Sequence, residues 1–200
     1  MIDEDGKIIS PFFFLGIAKK TKKYFEITKI VIKQSFEMFE KSSAEFSINI
    51  TIEDILNKNI TLFIFKMLER YGIGSRVVFE IVESEYIQNF EEVLDFIQKV
   101  KTYGSKIAID DFGTGYSNFE YIIKLQVDYL KIDGSLIKNI DTDENTYLVV
   151  STIVEFAKKL NMKTIAEFVE NEEIFNKVKE LGIDYSQGYY FSAPKKEIKH

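Results

Sequence analysis

The chain has 200 residues, 46% of them apolar and 14% aromatic, with 32 acidic against 26 basic side chains and a formal net charge of −6. That length and composition predict one globular domain over residues 1–200 with a large core, and the spread of charge leaves no basic footprint for long nucleic acid or an anionic membrane. Cysteine is absent and the one histidine is His200, which excludes thiol nucleophiles, zinc–thiolate sites, serine–histidine triads and histidine-rich metal centres, and fits a reducing, cytoplasmic setting.

The acidic start MIDEDGK leads into the apolar run PFFFLGIA at 11–18, which is too short to span a bilayer and lacks the basic flank of a signal peptide, so no membrane contact is expected. Helical periodicity follows in KKYFEITKIVIKQSFEMFEK at 22–41. Strand-like runs rich in β-branched and aromatic residues then recur at FSINITI (46–52), RVVFEIV (76–82), KIAIDDF (106–112), DYLKID (128–133), MKTIAEFV (162–169) and YSQGYYF (185–191). Ahead of the third run, FEEVLDFIQKVKTYG sets Phe90, Val93, Leu94, Ile97 and Val100 on one helical face and stops at Gly104. Apolar strands alternating with amphipathic helices predict βαβ units and a parallel sheet covered on both faces.

In such folds chemistry collects at the carboxyl ends of the strands. Asn49 lies in the first run, Glu80 and Glu83 close the second, Asp110 and Asp111 the third, Lys131 and Asp133 the fourth, Glu167 and Glu170 the fifth, and Gln187 lies in the sixth. Any one of these fits a solvated strand end or a helix cap. Together they describe a rim of carboxylates, an amide and a lysine, which suits hard cations and an anionic ligand. Asp110 and Asp111 cannot both project from one side of a regular strand, so the strand is expected to end there and turn the second carboxylate to the rim. Gly113 and Gly115, on either side of Thr114, permit the tight turns that follow.

The segments IVESEYI, AIDDFGTGYSNFEYI, YLKIDGSLI, TIAEFVEN and SQGYYFSAP resemble successive signatures of the EAL domain family, bacterial phosphodiesterases that hydrolyse cyclic di-GMP to linear pGpG. The resemblance implies a (β/α)8 TIM-barrel-like fold. It also implies a Mg2+ or Mn2+ pair held by Asn49, Glu80, Asp110, Asp111 and Glu167, with Asp110 bridging the ions and Ca2+ inhibitory. By the same resemblance Glu167 assists the attacking water, Lys131 lies beside that water and the scissile phosphate, Glu170 and Gln187 line the site, and Glu83 anchors the loop of Gly113, Thr114 and Gly115. A homodimer paired through the region after DDFGTGYS is likewise implied.

Departures from the family pattern qualify this reading. The EAL tripeptide is absent, and two amino-terminal strands, one carrying a metal-ligand glutamate, are expected to be missing, leaving about six strands and weakened or absent turnover. A degenerate module that binds the dinucleotide or a protein partner without turnover is the alternative. Val82 stands where threonine is usual, Gly134 where arginine is common, and Phe168 where glycine is usual. Phe168 is expected as a buried aromatic beside the barrel, with crowding of the rim or stacking on a guanine as alternatives.

Overall fold

The computed structural model describes residues 9–82, 89–113 and 119–195. Strands β1 (Phe46–Ile50), β2 (Val77–Val82), β3 (Lys106–Phe112), β4 (Tyr129–Ile132), β5 (Lys163–Ala166) and β6 (Tyr185–Ser186) pair in parallel and in sequence order as one six-stranded sheet. Helices α1 (Pro11–Lys20) and α2 (Tyr24–Phe39) precede the sheet, and α3 (Ile52–Leu56), α4 (Lys58–Tyr71), α5 (Phe90–Lys101), α6 (Phe119–Leu125), α7 (Gly134–Ile137), α8 (Glu144–Lys159) and α9 (Glu172–Glu180) fill the crossovers. This is an α/β architecture of parallel βαβ units, as the alternation in the sequence predicts, and it is TIM-barrel-like, as the family resemblance implies.

Local chemistry explains the helix ends. The Asn57 side chain caps α4 by accepting from the Asn59 amide, and α4 stops at Gly72 in the left-handed conformation. Helix α5 carries Glu91 and Glu92 in its first turn and Lys99 and Lys101 in its last, each sign opposing the helix dipole. The apolar run at 11–18 forms α1, opened by Pro11 and ending in Lys19 and Lys20.

Alternation along the strands divides the sheet into two faces. One face carries Ile48, Phe79, Ile107, Leu130 and Ile132, which pack with helix residues such as Phe36, Ile64, Leu68, Phe96 and Val154 into the main core. The other carries Val78, Ala108 and Tyr129, with Ile165 against them, as a small apolar layer. Two residues further along these strands come Glu80, Asp110, Lys131 and, just past β5, Glu167. The small layer is therefore the floor beneath a polar rim.

Several strands are shorter than the sequence pattern suggests. β5 closes at Ala166 and β6 at Ser186, so Glu167 and Gln187 stand on the turns beyond them. Thr51 and Ile52 leave β1 because the Thr51 side chain caps α3 in a reciprocal capping box with Asp54.

Candidate active site

Parallel pairing brings four strands' polar residues onto one rim. Asn49 is the register partner of Glu80 across β1 and β2, and Val82 is the partner of Asp110 across β2 and β3. Glu80, Lys131 and Glu167 are buried, Asp110 and Asp111 are half-buried, and Asn49 is exposed.

Lys131 is the hub. Its Nζ donates to Asp110 Oδ1 at 2.5 Å and to Glu80 Oε2 at 2.9 Å, and lies 2.9 Å from Glu167 Oε1. Burial disfavours the ammonium, but hydrogen bonds to Asp110, Glu80 and Glu167 outweigh it and raise the Lys131 pKa, so the side chain stays charged. Burial pushes the Glu167 pKa up as well; Lys131 opposes that rise, while the charges of Asp110 and Asp111 add to it. Glu167 Oε1 also accepts from Gln187 Nε2 at 2.6 Å, which ties the turn after β6 to the rim.

The paired aspartates are accommodated differently from the sequence expectation. β3 does not end at Asp110; it runs on to Phe112, and its pairing with β4 shifts register between Ile109 and Phe112. Asp111 takes φ +56° within this irregularity, a left-handed conformation that aspartate tolerates better than most residues. A bulge, rather than a strand end, thus lets both carboxylates serve one side. Burial, then Asp110 and Asp133, raise the Asp111 pKa. Gly113 follows at φ +100°, where a Cβ would run into Leu136.

Asp110, Asp111 and Glu167 each offer a carboxylate oxygen, all within 4.8 Å of one another. Such an all-oxygen, anionic donor set suits a hard divalent cation such as Mg2+, Ca2+ or Mn2+. Of the remaining expected residues, Glu170 is exposed and pairs with Lys138 at 3.9 Å, outside this group. Asp133 caps α7 by accepting from the Ser135 amide at 2.7 Å. Glu83, Thr114 and Gly115 lie outside the described residues.

Phe168 corrects an expectation. It is 47% exposed rather than buried, and its φ is +53°, a conformation that costs an L-residue roughly 1–2 kcal/mol and suits the glycine usual there. Its ring packs on Gly134 so closely that a Cβ at that position would overlap it. The two departures from the family pattern therefore touch, although 33 residues separate them in the chain. Spacing in the sequence gives no sign of this contact.

Residues 1–194 match the EAL domain family. The chain belongs to it. The chain is 33% identical over 195 residues to the cyclic di-GMP phosphodiesterase PdeB of Shewanella oneidensis, covering 94% of this chain and 23% of that protein. It is 34% identical over 200 residues to the cyclic di-GMP phosphodiesterase PdeA of Borreliella burgdorferi, covering 97% of this chain and 30% of that one. It thus spans about a quarter to a third of these relatives' length. Among solved structures it is similar to the PaMucR phosphodiesterase in complex with c-di-GMP, with TM-score 0.87, 27% identity and coverage of 96% of this chain and 81% of that one. The FimX EAL domain of Pseudomonas aeruginosa, at 20% identity and TM-score 0.90 over 98% of this chain and 81% of that one, shares the fold. Among the described residues no helix is long and apolar enough to cross a membrane.

Proposed function

We propose that the chain is a metal-dependent phosphodiesterase domain that opens cyclic di-GMP to linear pGpG. The observation that carries this reading is the rim on which Glu80, Asp110 and Glu167 converge on Lys131, with Asp111 beside them. Asn49, Glu80, Asp110, Asp111 and Glu167 would hold Mg2+ or Mn2+, with Ca2+ supporting binding but not turnover. Bound divalent ions supply charge for the phosphate and lower the pKa of water.

The chain's own side chains do the rest. Glu167, whose pKa burial raises, accepts the proton of the attacking water as its oxygen bonds to phosphorus. The bond from phosphorus to the ribose 3′ oxygen breaks, and that oxygen leaves as a hydroxyl by taking a proton from solvent water, while the proton on Glu167 returns to solvent. Lys131, held charged, donates a hydrogen bond to the phosphoryl oxygens as negative charge grows on them. Gln187 orients Glu167 through their hydrogen bond.

We further place the domain in the cytoplasm as a homodimer. Phe119 and Ile123 of α6 are 41% and 50% exposed and support an apolar self-association face.

The test is chromatographic detection of pGpG after incubation with Mg2+ and with Mn2+. The expected result is product formation that Glu167→Gln and Lys131→Ala each reduce at least a hundredfold while dinucleotide binding changes much less. Binding without product in either metal identifies a binding module instead. The absence of both binding and product ends the reading.

A further inference from the structure

Beside the rim lies a cavity of about 460 Å³, lined by Phe168, Gln187, Gly188, Tyr189, Ser192 and neighbouring residues. Its volume falls within the roughly 300–1,000 Å³ typical of ligand clefts. Two aromatic rings line it, Phe168 at 47% and Tyr189 at 66% exposure, so the apolar surface is presented rather than buried. The cavity is also joined to the rim, because Gln187 donates to Glu167.

The Phe168 ring is packed on one side while remaining partly exposed. Gly134 backs it, and the Lys138 ammonium, one helical turn further on, sits 4.7 Å from the ring centroid. The backbone around it is tied to the other side of the cavity, since the Val169 amide donates to the Gln187 carbonyl at 3.0 Å and the Tyr190 amide to the Val169 carbonyl at 3.0 Å. A side chain that is strained in φ, exposed and yet backed by Gly134 and Lys138 beside a polar rim has the features of a binding surface. Flat apolar rings recognise flat ligands by stacking, and a base tethered to a phosphate on the rim is such a ligand.

We propose that Phe168, seated on Gly134, is a specificity-determining wall that stacks one purine base of the dinucleotide in this cavity. The inference rests on the cyclic di-GMP reading above and deepens it. Gly134 has a defined part: it leaves the space that the ring occupies, so the glycine at 134 and the phenylalanine at 168 act as one unit.

Titration calorimetry with cyclic di-GMP in millimolar calcium tests this on the unmodified chain, Phe168→Gly, Gly134→Ala and the double variant. Phe168→Gly lowers affinity roughly tenfold, the loss of one base stack, while its melting temperature holds or rises because the left-handed backbone is relieved. Manganese affinity stays unchanged in Phe168→Gly, since the rim is intact. Gly134→Ala alone weakens dinucleotide binding by displacing the ring, and adds nothing once Phe168 is glycine. If the unmodified chain binds and Phe168→Gly binds equally well, the wall is wrong and the dinucleotide reading stands. If Phe168→Gly loses dinucleotide and manganese together, Phe168 is a scaffold residue and the proposal falls. If the unmodified chain does not bind the dinucleotide, both readings fall.

Discussion

At the amino-terminal ends of the strands each lysine meets its own carboxylate: Lys106 reaches Glu45 at 2.5 Å, Lys101 reaches Asp128 at 2.9 Å and Lys163 reaches Asp184 at 2.7 Å. Asp128 and Asp184 also accept from the amides of Ile107 and Thr164, at 2.8 and 2.9 Å, pinning the starts of β3 and β5. At the carboxyl-terminal ends one ammonium serves Glu80, Asp110 and Glu167, with Asp111 next to them, and the group lies mostly out of water. Balanced, solvated pairs at one end cost little and hold the sheet together. An unbalanced, buried cluster at the other is expensive to fold and gains its balance only when further positive charge arrives. The same sheet thus keeps its paired, stabilising charges and its candidate metal site at opposite ends.

Removing the hub should break the contrast most severely. Lys131→Met leaves three carboxylates without their counter-charge, and we expect a loss of about 3–5 kcal/mol in metal-free urea denaturation. Millimolar Mn2+ should recover much of it by supplying the missing cations, and a loss indifferent to metal would argue against an unbalanced rim.

At the opposite end the effects are smaller and independent of metal. Asp184→Ala removes the bonds that Asp184 accepts from the Thr164 amide and hydroxyl and from Lys163. The expected cost is about 1–3 kcal/mol near neutral pH. Burial raises the Asp184 pKa, but the bonds from Lys163 and Thr164 outweigh it and hold the pKa below the ordinary value. Its contribution is therefore complete above the unfolded carboxylate pKa and is lost as pH falls through the folded one. The gap between Asp184→Ala and the unmodified chain should accordingly close in acid, as denaturation at a series of pH values would record. Glu45→Ala, whose pair with Lys106 is largely solvated, should change stability by about 0.5 kcal/mol or less in the same measurement.

The rim was legible in the sequence because strand alternation and parallel register act together. Asn49, Glu80, Asp110 and Lys131 each sit at the parity that places them on one face, and the apolar residues two positions before Glu80, Asp110 and Lys131 mark the floor. The Asp110–Asp111 pair raised the right problem but hid its solution, since a left-handed residue within a strand leaves no trace in hydrophobic pattern. Strand ends were overrun at Glu167 and Gln187 because apolar turns such as FV and GYY carry the same composition as strands. The triple pairing of Lys131 and the packing of Phe168 on Gly134 join distant segments, and only the folded chain reveals them. The pinning roles of Asp128 and Asp184 were missed for a different reason: Asp128 reads as the opening residue of the fourth strand run and Asp184 as ordinary loop ahead of the sixth, and neither pattern shows the amide of a neighbouring strand that each accepts from.

The most direct test of the contrast between the two ends is calorimetric titration of Mn2+ into the unmodified chain, Asp110→Asn and Asp184→Asn, each shown to be folded. The account predicts binding that Asp110→Asn weakens at least tenfold and Asp184→Asn leaves unchanged. Equal Mn2+ affinity in Asp110→Asn and the unmodified chain would contradict it.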